Sequence, residues 1–266
     1  MLQNAQQETT VLTGNDPDPV EAINLAGNSP FLLTCEHAGR AVPQVLGDLG
    51  VDAAEMDRHI AYDVGAEALS RGLSALLDAP LIMQRYSRLV VDCNRPFEAK
   101  DCFPEISDGT AVPVNRSLSE GERRQRFNEI HQPFHGAVSA FLDQRKAAGK
   151  PAILISVHSF TPCLAGKERP WLVGLLANRD RRVADAFMAA FTEANPGISI
   201  AHNEPYTVDD LSDYTVPVHG EARGIPHLLL EIRNDQIAQP DGQVRWARLV
   251  ADALMGAVAL MNEKGN

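Results

Sequence analysis

Lysine is scarce in this chain: five lysines stand against nineteen arginines in 266 residues. An arginine inside a motif is therefore no signal by itself. Acidic residues outnumber basic ones, 35 to 24, for a net charge of −11, which argues against a nucleic-acid or anionic-membrane surface. No apolar run nears the roughly 20 residues needed to span a bilayer. Residues 1–28 lack the basic start and apolar core of a secretory signal, so a cytoplasmic protein is expected. That stretch is Gln-rich, then reads Asn15-Asp16-Pro17-Asp18-Pro19. It is expected to be a flexible tail (1–28) before one domain over 29–266. Cysteine is limited to positions 35, 93, 102 and 163 with no CxxC spacing, which predicts reduced thiols rather than a disulfide frame. No glycine-rich phosphate loop of the GxGxxG or GxxxxGK type occurs, so a nucleotide is not expected.

What the chain does have is a set of short apolar runs that end in reactive side chains. Ile153-Leu154-Ile155-Ser156-Val157 reads as a strand buried on both faces and ends in His158-Ser159. Pro30-Phe31-Leu32-Leu33-Thr34 leads into Cys35-Glu36-His37-Ala38-Gly39. Residues 225–233 place Glu231 and Arg233 after a run of leucines. Further strands are expected at 80–84, 88–92, 171–176 and 198–201. Helices are expected at about 63–78, from Ser119 through Leu142, at 180–194, and near the C-terminus on the stripe from Trp246 to Met261. The segment Ser119-Glu120-Gly121-Glu122 fits a capping box. Residues 97–118 and 202–224 read as long loops over the strand ends. Strands alternating with helices predict a single α/β domain. In such sheets the carboxyl ends of strands are where ligands bind.

The chemistry follows from those ends. Two histidines and one carboxylate form a three-ligand set for a catalytic Zn²⁺. Asp63, just before a helix, suits either a cap or a ligand facing His37. Buried Glu231 must be paired, protonated or near a cation, and beside a metal it can serve as general base. His131 and His135 stand four apart, but Pro133 between them and the lack of HExxH predict packing residues under the site rather than ligands. The parts are those of metal-assisted amide hydrolysis.

Together, Cys35 to Gly39, Asp57 to Asp63, Ser87-Arg88-Leu89-Val90-Val91-Asp92-Cys93-Asn94-Arg95, Val157-His158-Ser159 and Leu230-Glu231-Ile232-Arg233 resemble the N-formylglutamate amidohydrolase family. The resemblance implies a three-layer, phosphorylase/hydrolase-like α/β fold with a mixed, mostly parallel sheet, like that of zinc exopeptidases. It implies hydrolysis of a small, acidic N-acyl amino acid such as N-formyl-L-glutamate to formate and the amino acid, as in histidine catabolism. By the same likeness His37 and His158 bind Zn²⁺ and Glu231 is catalytic. Asp63 is the preferred third ligand, with Asp57 and Glu36 as alternatives. His219 joins Glu231 in catalysis, and Arg88, Asn94, Arg95, Ser159 and Arg233 bind substrate. The family's first motif resembles Ser-x-Pro-His-x-Gly, whereas Thr34-Cys35-Glu36 precedes the histidine in this chain, which points to a divergent branch. Two other readings stay open: a metal-free hydrolase using Cys35 with His37 or His158, and a binding protein that kept the fold without the chemistry. A homo-oligomer also stays open.

Overall fold

Period-two alternation sends Phe31, Leu33 and Cys35 to one face of their strand and Leu32 and Thr34 to the other, and all five are buried. A strand buried on both faces needs a layer on each side, and this fold supplies both. The computed structural model describes residues 10–264. The main sheet runs, in spatial order, β1 (Val20–Ile23), β3 (Leu81–Gln84), β2 (Phe31–Cys35), β6 (Ile153–Phe160), β11 (His227–Arg233), β9 (Val173–Leu176) and β10 (Ile200–His202). It is mixed and mostly parallel, as expected. Only the β1–β3 and β9–β11 pairs among its neighbours are antiparallel. Two small hairpins, β4–β5 (Ile106–Ser107, Thr110–Ala111) and β7–β8 (Cys163–Leu164, Lys167–Glu168), stand off the sheet.

On one face lie α2 (Ala66–Leu77), α5 (Arg182–Ala194) and α6 (Pro240–Lys264). Leu69, Leu73, Phe187, Phe191 and Trp246 from these helices pack on Phe31, Leu33, Ile155 and Leu230. On the other face α4 (Gln132–Ala147) brings Phe134, Val138 and Phe141 onto Leu32, Ile82 and Leu154. The short helices α1 (Ala53–Met56) and α3 (Glu120–Arg126) complete the set. The expected capping box is present: Ser119 Oγ accepts from the Glu122 amide, and Glu122 accepts from the Ser119 amide. Pro133 cannot donate to the helix ladder. The chain accommodates it by widening one turn over Phe127–His131 before α4 begins.

Two expectations are corrected, and one pair of alternatives is decided. Residues 88–92 are a tight turn rather than a strand, with Leu89, Val90 and Val91 buried. The preceding strand β3 is already paired on both sides by β1 and β2, so it offers no edge. Asp63 does not cap α2. Gly65, at φ +80°, takes that position, and the aspartate points elsewhere. Residues 1–9 lie outside the described residues; in the rest of the stretch expected as a flexible tail, Val20–Ile23 forms the edge strand β1 and Val11 is buried. The Val11 and Leu12 amides donate to the Glu129 carboxylate at 3.1 and 2.7 Å, so this segment belongs to the domain. No helix among the described residues is long and apolar enough to cross a membrane.

Candidate active site

The neighbouring central strands β2, β6 and β11 carry the site at their carboxyl ends. Glu231 is in register with His158 across the parallel β11–β6 ladder. Leu230 and Ile232 point into the α2/α5/α6 core, so alternation turns Glu231 to the opposite face. His158 shares that face with Leu154 and Ser156. On the other side of β11, Glu231 meets Gly174. A Cβ there would lie 2.0 Å from the Glu204 carbonyl oxygen, so glycine is what lets the 203–206 loop lie across the glutamate. His37 stands two residues past β2, and its carbonyl accepts from the Asp63 amide at 2.9 Å, which draws Asp63 to the strand ends.

His37, Asp63 and His158 converge. One ligand atom from each lies within 4.8 Å of the others, and all three residues are buried. His158 Nδ1 is 2.8 Å from Asp63 Oδ2, and His37 Nδ1 is 3.5 Å from Asp63 Oδ1. The far nitrogen of each ring is anchored by another carboxylate: His37 Nε2 by Asp92 Oδ1 at 2.7 Å, and His158 Nε2 by Glu36 Oε2 at 3.0 Å. That is how metal-ligating histidines are normally oriented, with the outer nitrogen donating to a carboxylate. The inner nitrogen of His37 is buried and has no hydrogen-bond partner. Arg88 adds bonds of 3.0 and 2.7 Å to Asp92 and 3.3 Å to Asp63. Asp63 and Asp92 thus share the Arg88 guanidinium, and the third buried carboxylate, Glu36, has none within 4.0 Å among the described residues, which leaves negative charge for a cation to balance. Burial opposes charge on Glu36, but the hydrogen bond and charge of His158, with hydrogen bonds from Thr215 and Thr34, together outweigh it and bring the carboxyl down to about 2. Burial likewise opposes charge on His158, but Asp63 and Glu36 hold its proton well above the usual histidine range. The donor set and its charge fit a divalent metal.

A cavity of about 570 Å³ opens over this cluster, and Glu231 lines it. Glu231 Oε2 is buried without a hydrogen-bond partner. Burial pushes its carboxyl up to about 8, with His158 pulling it down and Asp63 adding to the rise. Of the residues expected to bind substrate, Arg88, Asn94, Arg95 and Ser159 line the same cavity. Arg233 does not. Its guanidinium is held by Asp235 at 2.9 and 3.1 Å, so its expected contact with substrate is corrected. His219 is corrected too: it lies off the cavity, with Nε2 2.9 Å from His135 Nδ1. Among the alternative ligands, Asp57 is exposed and paired with Arg40, and Glu36 sits behind His158. Cys35 points into the α2 core, and burial pushes its thiol well above the usual range. A thiolate nucleophile needs the reverse, so the metal-free cysteine reading falls. All four cysteines are free.

Sequence reasoning missed Asp92 and Glu36 as the outer anchors of the two histidines. Asp92 stands four residues after Arg88, the spacing that joins them in the fold, but nothing local linked it to His37, 55 positions away.

Beneath the site, His131, His135 and His219 form a buried chain. His135 Nε2 donates to the Cys93 carbonyl at 2.6 Å, so its Nδ1 must accept from His219. His131 Nε2 donates to the Arg95 carbonyl at 3.0 Å. Burial pushes His131 and His219 down to about 4, against roughly 6.5 in an unfolded chain. Between those values the unfolded chain binds more protons, so this contribution is fully present above about pH 6.5 and is lost as pH falls toward 4. Each such histidine steepens the loss by up to about 1.4 kcal/mol per pH unit. Urea midpoints should therefore fall between about pH 6.5 and 5, before most carboxylates titrate, and His131→Gln should flatten that slope. Parallel slopes in the two proteins would remove His131 as a cause.

The model of the N-formylglutamate amidohydrolase family matches residues 29–238, a span that holds His37, Asp63, Asp92, His158 and Glu231. A curated N-formylglutamate deformylase of Pseudomonas putida is 28% identical over 149 residues, 50% of this chain and 52% of that protein. The chain thus spans about half the length of the curated relatives it matches. The crystal structure of a gene product from Agrobacterium tumefaciens is similar at 36% identity and TM-score 0.91, covering 95% of this chain and 99% of that one. An N-formylglutamate amidohydrolase from Ralstonia eutropha JMP134 shares the fold at 17% identity and TM-score 0.63, covering 94% of this chain and 100% of the other.

Proposed function

Because the chain belongs to the N-formylglutamate amidohydrolase family, we propose that it hydrolyses the amide of a small N-acyl amino acid, with N-formyl-L-glutamate as the first candidate. The observation that carries this reading is the double anchoring of the histidines. Asp92 and Glu36 hold the outer nitrogens, so the inner ones converge with Asp63 under a cavity walled by unpaired Glu231.

His37, Asp63 and His158 would hold a divalent cation, Zn²⁺ in our reading. When bound, such an ion supplies Lewis acidity, polarising an amide carbonyl and making water easier to deprotonate. The remaining work falls to the chain's own groups. The Glu231 carboxylate accepts a proton from the attacking water and returns it to the nitrogen of the departing amine. A carboxyl raised toward neutrality suits both transfers. Burial keeps bulk water from competing for that proton. Arg88 bridges Asp63 and Asp92, so it fixes the donor geometry and offsets part of its charge. Asn94 is held by three contacts: its amide oxygen accepts from the Tyr214 and Thr215 amides at 3.3 and 3.1 Å, and its Nδ2 donates to Asp213 at 3.2 Å. It thereby ties the turn after Asp92 to the 203–215 loop that walls the cavity. Ser159 is similarly committed, with its amide on Asp63 and its hydroxyl on the Val64 carbonyl.

The deciding experiment is formate release. Purified protein supplied with Zn²⁺ should liberate formate and free amino acid in equal amounts from N-formyl-L-glutamate. Release from N-acetyl or peptide amides, with N-formyl compounds inert, would keep the chemistry and replace the acyl group. No turnover of any amide would favour a binding protein on this fold.

A further inference from the structure

The arginines placed at the cavity by their motifs are already engaged. Arg88 commits Nε, Nη1 and Nη2 to Asp92 and Asp63. Arg95 donates from Nε to Asp101 at 2.8 Å and from Nη1 to the Asn94 carbonyl at 3.3 Å, with Asp213 at 3.8 Å. A chain at net −11 that neutralises these two groups internally still needs a free cation to hold an anionic substrate.

Arg169, just after β8, has the missing property. It is 8% exposed, yet among the described residues no carboxylate lies within 4.0 Å of its guanidinium. Its side-chain partners are neutral: a long bond from Nη1 to the Thr161 carbonyl at 3.4 Å, and the Tyr206 side chain. The guanidinium carbon sits 4.7 Å from the centre of the Tyr206 ring, a cation–π contact that fixes the plane of the group. Arg169 is not itself in the lining of the cavity that contains Glu231, but the two residues it touches, Thr161 and Tyr206, both are. A guanidinium has five N–H donors, and burying one without a carboxylate is costly unless something else fills the role. The other buried arginines, Arg126 and Arg145, touch no residue that lines the cavity. Both also lack a carboxylate within 4.0 Å among the described residues, but Arg126 donates to the Val90 carbonyl and the Asn115 side chain, and Arg145 donates to the Pro151 carbonyl and lies over Phe141, all away from the cavity. The backbone of Arg169 is pinned from both sides: its amide donates to the Pro162 carbonyl at 2.8 Å, and its carbonyl accepts from Arg233 Nη1 at 3.2 Å. Arg233 thus supports the segment that carries Arg169.

We propose that Arg169, backed by the Tyr206 ring, is the residue that recognises a carboxylate of the substrate, through the two-pronged bond a planar guanidinium makes to a carboxylate. This rests on the amide-hydrolase reading above. It narrows the substrate class to N-acyl amino acids whose carboxylate reaches the Thr161–Tyr206 wall. That carboxylate is either the α-carboxylate or a side-chain one, and amide analogues separate the two.

The test compares wild type, Arg169→Met and Arg169→Lys on three substrates: N-formyl-L-glutamate, N-formyl-L-glutamine and the α-amide N-formyl-L-isoglutamine. Arg169→Met should lower kcat/KM about 10- to 100-fold, mainly through KM, for substrates that carry the recognised carboxylate. For the analogue in which that group is an amide, the loss should be far smaller, so the acid-over-amide preference collapses. Arg169→Lys keeps the charge without the fork and should fall between. An equal loss on all three substrates, or no loss, overturns the assignment. Calorimetric binding of L-glutamate to wild type and Arg169→Met gives a second readout that needs no turnover. Weaker binding by the variant supports the assignment even where wild type releases no formate, in which case the amidohydrolase reading alone fails. Equal binding, or none by either protein, overturns it.

Discussion

Glu231→Gln is expected to lower kcat for formate release by about 10²–10⁴-fold, the range usual for loss of a general acid–base group. Folding and metal content should be retained. Glutamine keeps the size and planarity of the side chain, so neither the β11–β6 register with His158 nor the contact with the Glu204 loop over Gly174 needs to change. What it removes is the capacity to accept a proton. The substitution should also raise thermal stability slightly, because the wild-type carboxyl is buried with one oxygen unpaired and its charged form is disfavoured there. A proton carrier should therefore lose turnover while gaining stability. A structural ion-pair partner would lose both, and a metal ligand would lose the metal. Measuring kcat, melting temperature and bound metal on one preparation separates the three roles. A variant within a few-fold of wild type in kcat would exclude Glu231 as the base.

The fold is legible in the sequence because its signals are local. Runs such as Ile153–Val157 and Leu228–Leu230 are apolar on both faces, and a chain that folds them as strands has to cover both sides with helices. The amphipathic spacing of Leu69, Leu73, Phe187, Phe191, Trp246 and Leu254 supplies that cover. The turn at 88–92 reads falsely as a strand because Leu-Val-Val looks the same whether buried in a sheet or beneath one. What decides is whether a sheet edge is free, and β1, formed by residues that read as tail, closes it.

Within the site, legibility follows sequence distance. A histidine or glutamate at a strand end can be recognised where it stands. Its partner cannot when the partner comes from 55 or 120 residues away, as Asp92 does for His37 and Ser156 for Glu36. The arginines show the same limit from the other direction. Position beside a motif suggests Arg88, Arg95 and Arg233 as substrate contacts, but an arginine's function depends on whether nearby acids have already taken its donors. Asp92, Asp101 and Asp235 have done so. Arg169 carries no motif, and what marks it is the want of a close carboxylate beside a cavity wall, which sequence does not display.

Removing the metal should have the largest effect of all. One divalent ion per chain is expected by elemental analysis, and exhaustive chelation should abolish formate release, with recovery when Zn²⁺ is restored. His37→Ala and His158→Ala should lose both ion and activity, because each deletes one donor of a three-donor set. His158→Ala also leaves Asp63 and Glu36 buried without their shared partner, so its stability should fall as well. His158→Gln, which retains a polar group of similar reach, guards against mistaking misfolding for metal loss. The outer anchors provide a graded version of the same test. Asp92→Asn keeps the shape but weakens the hold on His37 Nε2, and substitutions of this kind typically cost about 10–100-fold in metal affinity. Excess Zn²⁺ should therefore rescue Asp92→Asn, while His37→Ala stays inactive at any concentration. That difference in rescue distinguishes a residue that orients a ligand from one that is a ligand. Full turnover by thoroughly chelated wild type would end the metal proposal and, with it, the assignment of Asp92 and Glu36 as anchors of metal-binding histidines.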